Sequence, residues 1–353
     1  MSNTMDQKCP NCRAPLKYSA KTKKWDCEYC GSHLTLDDLK KNRIDKEKKQ
    51  DTKKTSNGYT CKNCGAQIIV SDNTSATSCV YCRSTALMMD RLEEEYTPNS
   101  IIPFKKTKED AIKAFQSYGL RKFFAPKEFN KKENINEIQG IYIPFWLFDF
   151  NLDLKIIGQG KKISHWTSGN YSYTKTDTYS YERSGVFPFF DIPVDGSKYF
   201  DNALMNSIEP FDYKDLVEFD GAYLSGFLAE KYDLSKEEVQ NIAIDRAVGT
   251  STNELSKSLN NYNTHNITST DKQTNNLSGE YVLLPVWLLN IKYKDKIYPY
   301  AYNGQTGKMI GDLPISKAKV ILFFAILFII SVLLISLGMI ILGGYTLWKN
   351  SYF

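Results

Sequence analysis

The 353-residue sequence has no cysteine beyond position 82, only three histidines, and no apolar run at its N-terminus. Without late cysteines, everything past residue 82 can hold neither a disulfide framework nor a thiolate metal site. His33, His165 and His265 are scattered, none with a cysteine or carboxylate at a ligand or dyad spacing, so catalysis finds little support. Asp149 and Asp195 read as surface or turn residues, and the expectation is a protein that is not an enzyme. Met1-Ser2-Asn3-Thr4-Met5-Asp6 does not resemble a secretory signal, which argues against an oxidising compartment. A Walker loop is missing too: around Asn303-Gly304-Gln305-Thr306-Gly307-Lys308, Tyr302 stands where glycine is needed and Met309 where Ser or Thr is needed. An Asn-Gly turn between two strands is predicted there instead.

What is present is concentrated at the front. Eight cysteines form Cys9-Pro10-Asn11-Cys12, Cys27-Glu28-Tyr29-Cys30, Cys61-Lys62-Asn63-Cys64 and Cys79-Val80-Tyr81-Cys82. The second four repeat the spacing of the first four, and Tyr29 recurs as Tyr81. A C-x2-C knuckle turns the backbone so that two thiolates converge on one metal, and a second knuckle completes a sulfur tetrahedron. Gly31 and Gly65 follow knuckles where positive φ is expected. Iron–sulfur ligation and disulfides use the same residue type, but the regular paired knuckles favour two structural Zn(II) ions, ligated by Cys9, Cys12, Cys27 and Cys30 and by Cys61, Cys64, Cys79 and Cys82.

Charge bears on the partner. Residues 1–95 hold seventeen Lys/Arg against thirteen Asp/Glu. Four thiolates around one Zn(II) carry a net charge of about −2, so two loaded sites cancel that excess. This weakens a nucleic-acid reading. Trp25 reads as a packing residue over the small zinc core rather than a base-stacking one. Lys40 to Lys54 carries eight basic and three acidic residues, a solvated helix or a disordered spacer able to touch anionic lipid.

Beyond Glu93-Glu94-Glu95 the chain is rich in aromatics. Helices are predicted over Lys108–Gly119 and Leu234–Leu259, the second capped by Ser235 ahead of Glu238. Ile141–Ile157 reads as buried strand. Tyr171–Arg183 alternates tyrosine with Ser/Thr, either one strand or a hairpin turning near Lys175–Asp177. Ile141-Tyr142-Ile143-Pro144-Phe145-Trp146-Leu147 echoes Val282-Leu283-Leu284-Pro285-Val286-Trp287-Leu288, hinting at two related halves, and each proline is expected to mark an edge or a bulge. Val320 to Leu342 carries no charge, about 35 Å of helix at ~1.5 Å per residue, enough to cross a bilayer. Lys308, Lys317 and Lys319 precede it and Lys349 follows, with Tyr345 and Trp348 suited to the headgroup zone, which places the N-terminal body in the cytoplasm.

The paired knuckles, Ile102-Pro103-Phe104, Gly140-Ile141-Tyr142-Ile143-Pro144-Phe145-Trp146, Pro193-Val194-Asp195-Gly196-Ser197, Ile208-Glu209-Pro210-Phe211-Asp212, Leu284-Pro285-Val286-Trp287 and the Asn303–Lys308 stretch together resemble a bacterial family of TFIIB-type zinc-ribbon-containing membrane proteins. The resemblance implies cytosolic ribbons on one membrane anchor and links to phage-shock-protein-A-like and flotillin-like (SPFH) membrane-stress proteins. It supplies no catalytic residue.

The expected architecture is two small four-cysteine zinc ribbons (1–35 and 59–92) joined by a basic linker (36–58), then an α+β domain of antiparallel strands with a few helices (96–316), then one transmembrane helix with flanks (317–348). The function expected is a single-pass adaptor or scaffold at the cell membrane. The alternative is a membrane-tethered nucleic-acid-binding protein.

Overall fold

The computed structural model describes residues 8–47, 56–61, 65, 67–70, 87–92, 97–117, 124–126, 138–198, 202–293, 296–311 and 315–351. A small sheet of β1 (Lys17–Ser19), β2 (Lys24–Asp26) and β3 (His33–Leu34) leads into helix α1 (Leu36–Glu47), which occupies the front of the basic linker. The main sheet has eleven strands among the described residues: β4 (Ser56–Cys61), β5 (Gln67–Val70), β6 (Leu87–Leu92), β7 (Ser100–Ile101), β8 (Gln139–Ser168), β9 (Tyr171–Asp195), β10 (Val217–Glu218), β11 (Leu228–Glu230), β12 (Thr264–Tyr293), β13 (Lys296–Asn303) and β14 (Met309–Gly311). Helices α2 (Lys108–Ser117), α3 (Asn202–Ile208), α4 (Lys236–Lys257) and α5 (Lys317–Ser351) complete the chain.

The sheet is mixed rather than antiparallel throughout, because β7 runs parallel to β12 and β11 parallel to β8. Tyr171–Arg183 lies within one continuous strand, with the turn at Gly169-Asn170 rather than near Lys175. Alternation explains how β8 packs. Phe148, Phe150, Leu152, Leu154 and Ile156 are buried in one core with Val239, Ala243 and Ala247 of α4, while Asp149, Asn151, Asp153 and Lys155 take the opposite face. β4 and β5, from the segment of the second cysteine set, continue the main sheet through Ile69 opposite Ala229.

The two echoed segments are direct neighbours. β8 and β12 pair antiparallel with Ile143 opposite Leu284, so Trp146 faces Tyr281 and Gly140 faces Trp287. Neither proline sits at an edge or a bulge. Each occupies the point where its strand changes outer partner, β8 from β11 (through Tyr142) to β9 (from Phe145), and β12 from β7 (through Leu283) to β13 (from Val286). A residue without an N–H loses nothing in that gap. The proline carbonyls are used alike: Gly196 N–H donates to Pro144 (3.0 Å) and Gly304 N–H to Pro285 (2.8 Å).

The correspondence continues outward. Trp146 Nε1–H donates to Leu234 C=O and Trp287 Nε1–H to Lys106 C=O, both at 2.9 Å. Each carbonyl immediately precedes a helix cap. Ser235 N–H donates to Glu238 Oε2 (2.6 Å) at the start of α4, and Thr107 N–H to Asp110 Oδ2 (3.0 Å) at the start of α2. Asp195 Oδ1 accepts from Ser197 N–H and Asn303 Oδ1 from Gln305 N–H, again both at 2.9 Å. The body therefore consists of two like halves about a pseudo-twofold axis through the Ile143–Leu284 pair, each helix-capping segment docking on the long strand of the other half.

One difference between the halves is a buried charge. Asp195 is not a surface residue: it is 3% exposed, and Oδ2 has no hydrogen bond among the described residues. Asn303 offers an amide at the matching position, and its Nδ2 donates to the Ile208 and Pro210 carbonyls. Burial pushes Asp195 up to about 7, opposed by the Ser197 N–H and aided by the charge of Asp233. An unfolded aspartate titrates near ~4, so between that pH and 7 the folded chain holds the proton the unfolded chain has lost. Stability thus falls as pH rises across that window, and the penalty is complete above it. Asp195→Asn should stabilise the full chain at pH 8 by on the order of a few kcal/mol at most, seen as a higher thermal midpoint. It should leave pH 4 nearly unchanged and flatten the pH dependence between.

Candidate metal centre

The first cysteine set assembles from two equal turns. Cys9 N–H donates to Ala14 C=O and Arg13 N–H to Cys9 C=O, both 2.8 Å. Cys27 N–H donates to Ser32 C=O and Gly31 N–H to Cys27 C=O, both 2.9 Å. The fourth residue after the leading cysteine is left-handed in each, Arg13 at φ 61° and Gly31 at φ 72°. Glycine adopts this freely, whereas arginine is strained there. Gly65, at the same offset from Cys61, has φ 82°.

These turns bring the four sulfurs of Cys9, Cys12, Cys27 and Cys30 within 4.8 Å of one another. Cys9 to Cys30 and Cys12 to Cys27 are each 3.5 Å. A tetrahedron with ~2.3 Å metal–sulfur bonds needs sulfurs ~3.8 Å apart, so the group can hold one metal ion after small adjustments. Electrostatics favour a cation. Hydrogen bonds from the Ser32 hydroxyl (3.1 Å) and backbone hold Cys30 down to about 6. Cys12 accepts a lowering hydrogen bond from the Ala14 backbone, yet burial and the sulfurs of Cys30, Cys27 and Cys9 push it up to about 12. Four thiolates this close cannot all ionise without a positive ion between them. The four ligands fill a tetrahedron, which leaves no open position for substrate.

Of the second set, Cys61 ends β4, while Cys64, Cys79 and Cys82 lie outside the described residues. His33 turns to Asp26 (Nδ1 to Oδ1, 2.6 Å) and His165 to Thr174 (2.9 Å).

The segment carrying the first cysteine set is docked on the sheet domain. Trp25 is buried and packs edge-on to Tyr18 (5.0 Å) and tilted against Tyr223 (5.2 Å). Its Nε1–H donates to Ala222 C=O (2.8 Å), and Tyr18 N–H donates to Ser225 C=O (3.1 Å). Trp25 therefore seals an interface as well as a small core. The sequence carried no sign of this partner, because Ala222 and Ser225 contribute only backbone carbonyls. Tyr29, inside the second knuckle, is 84% exposed.

At the other end of the chain, α5 contains the 22-residue stretch Lys317–Gly338, long and apolar enough to cross a membrane, with none of its most apolar window buried. Its start is tied to the body by Ser316 N–H to Phe124 C=O (2.8 Å), Lys319 Nζ to Ala125 C=O (2.5 Å) and the Phe124–Phe323 contact (5.3 Å). A cleft of about 290 Å3 lies elsewhere, lined by Asn99, Asp149, Asp191, Ser278 and Glu280.

Cys27→Ser removes a buried ligand and should free the metal from this set. Trp25 and Tyr18 would then lose their support, so tryptophan emission should shift to the red, as it should when a chelator is added to the unsubstituted chain. Unchanged emission in both would mean that metal does not hold the ribbon on the domain.

No family model and no solved structure matches the chain. It is 33% identical over 318 residues to the uncharacterized protein YdjG of Bacillus subtilis (strain 168), a match covering 90% of this chain and 92% of that protein. With identity at this level across most of both chains, the chain belongs to the same family as YdjG.

Proposed function

We propose that this chain is a membrane-anchored zinc-ribbon adaptor that recruits cytosolic proteins to the bilayer. The observation that carries the reading is the placement of a closed four-sulfur site on a rigid body that ends in an apolar helix. The metal of Cys9, Cys12, Cys27 and Cys30 is Zn(II) in a structural role. A second Zn(II) is held by Cys61, Cys64, Cys79 and Cys82, since the spacing repeats and Gly65 takes the same left-handed turn as Gly31. The body lies in the cytoplasm of a bacterium, where thiols stay reduced and the lysines before the span agree with that side. The resemblance to TFIIB-type zinc-ribbon membrane proteins makes phage-shock-protein-A-like and flotillin-like proteins the partners to test. Tyr29, exposed within a metal-fixed turn, is the surface best suited to contact them.

Removing residues 1–95 is not a clean test, because β5 pairs with β11 and its loss would open the main sheet. The sharper experiment keeps the full chain and changes Cys30→Ser or Tyr29→Ala. Labelled candidate partners should gather at membranes carrying the unsubstituted chain and disperse with either variant, while both variants stay membrane-bound. Persistent recruitment would move the docking surface to the sheet domain. Tight DNA binding at physiological salt would replace the adaptor reading altogether. Protein purified without added metal should contain about two zinc ions per chain by elemental analysis. A reporter fused after Phe353 should work only if it is active outside the cytoplasm.

A further inference from the structure

β9 turns a long backbone edge outward: it pairs with β8 and with no other strand among the described residues. Which groups face outward follows from β8. Ile163 N–H donates to Asn263 Oδ1 (2.7 Å), and Lys161 C=O accepts from Asn263 N–H (2.8 Å), so both point away from β9. Opposed residues in an antiparallel pair either both face each other or both face away. Thr176 and Thr178, opposite Ile163 and Lys161, therefore aim N–H and C=O at the open side, as do Ser172, Thr174 and Ser180 in the same alternation. Pro188, with no N–H to leave unpaired, falls on this outward set opposite Asn151.

From Tyr171 to Tyr181 neither proline nor bulge interrupts the edge, the devices that commonly block strand addition. The residues along it read the same in both directions: Tyr171-Ser172-Tyr173-Thr174-Lys175-Thr176-Asp177-Thr178-Tyr179-Ser180-Tyr181. The single mismatch about Thr176 is Lys175 against Asp177, which are opposite charges.

We propose that β9 pairs antiparallel, about Thr176, with β9 of a second copy of this chain, joining two bodies into one continuous sheet. Such a contact is isologous, so every residue type must suit its mirror position. Thr176 would meet its own copy, Thr174 would meet Thr178 of the partner subunit, and Ser172 would meet Ser180 of the partner subunit, all as hydrogen-bonded pairs. Tyr173 would face Tyr179 of the partner subunit at the closer, non-hydrogen-bonded spacing, and Lys175 would face Asp177 of the partner subunit. The charges set the register. Centring the pair on residue 175 opposes two lysines, and centring it on 177 opposes two aspartates. The tyrosine face is already ordered, since Trp166 stacks on Tyr173 (5.5 Å, 12°) and Lys162 lies over the Tyr179 ring (5.5 Å). Within one chain Lys175 and Asp177 lie 2.9 Å apart and exposed, an ion pair that can exchange between copies.

The test uses the full chain in isolated membranes. Thr176→Cys should give a disulfide-linked dimer under mild oxidation, because Cα atoms of a hydrogen-bonded pair lie ~5.5 Å apart. Thr178→Cys places the two sulfurs' Cα atoms ~14 Å apart and should give only the background of the unsubstituted chain. Equal cross-linking at both positions, or none at either, overturns the proposal. Asp177→Lys and Lys175→Asp should each reduce co-purification of differently tagged copies about tenfold or more. Co-expressing the two variants should restore it between unlike chains, since two lysines then face two aspartates. Neither chain regains its internal ion pair in that mixture, so restoration reports on the contact between copies. Failure to restore, or single variants that associate like the parent, would refute the contact at this edge.

Discussion

The antiparallel pairing of β8 with β12 is the constraint on which the rest of the body depends. It places Ile143 opposite Leu284 and so sets two like halves about one axis. Both strands must then serve two partners in succession along their outer edges, and Pro144 and Pro285 stand at the changeover. An ordinary residue there would present an N–H with no strand to accept it, and an unmet buried donor costs about 1–3 kcal/mol. Proline removes the donor, and its carbonyl anchors Gly196 or Gly304 of the neighbouring segment. The tryptophan two positions on ties the strand to the residue before a helix cap, so strand, turn and helix of opposite halves are fastened at one place.

The metal site is coupled to this body through few groups. Trp25 and Tyr18 give the ribbon a packed underside, and two hydrogen bonds to backbone carbonyls of 222 and 225 fix its position. A module of this size buries too little apolar surface to fold alone, so metal binding and docking reinforce each other. Metal loss therefore acts on the orientation of Tyr29 as well as on the knuckles. That coupling needs no open coordination position on the metal.

Local chemistry was legible in the sequence where it was periodic or spaced. The C-x2-C intervals placed Cys9, Cys12, Cys27 and Cys30 together, the Ser235/Glu238 pair marked the start of α4, and the uncharged run marked the terminal helix. What escaped depended on partners far along the chain. Asp195 sits in a Pro-Val-Asp-Gly-Ser stretch that reads as a turn, and only the fold, which brings the Asp233 segment against Gly196, buries it. The parallel pairings of β7 and β11 involve strands of two and three residues, too short to show an alternation. The prolines misled for a related reason, since the gap an interior strand leaves where it changes neighbours is not revealed by composition.

Duplication did not keep the two halves alike at their flanks. At one flank β7 is paired by β10, and at the other the matching strand β11 is paired by β5, which comes from the second cysteine set. One half thus completes its sheet from its own loop, whereas the other borrows a strand from the segment of the second cysteine set. The first ribbon packs beside that same flank, on Ala222 and Tyr223 ahead of β11. The anchor joins the body elsewhere, at Phe124 and Ala125 beyond α2. Like halves thus carry unlike attachments, the four-cysteine site ahead of β11 and the long apolar helix beside Phe124 and Ala125.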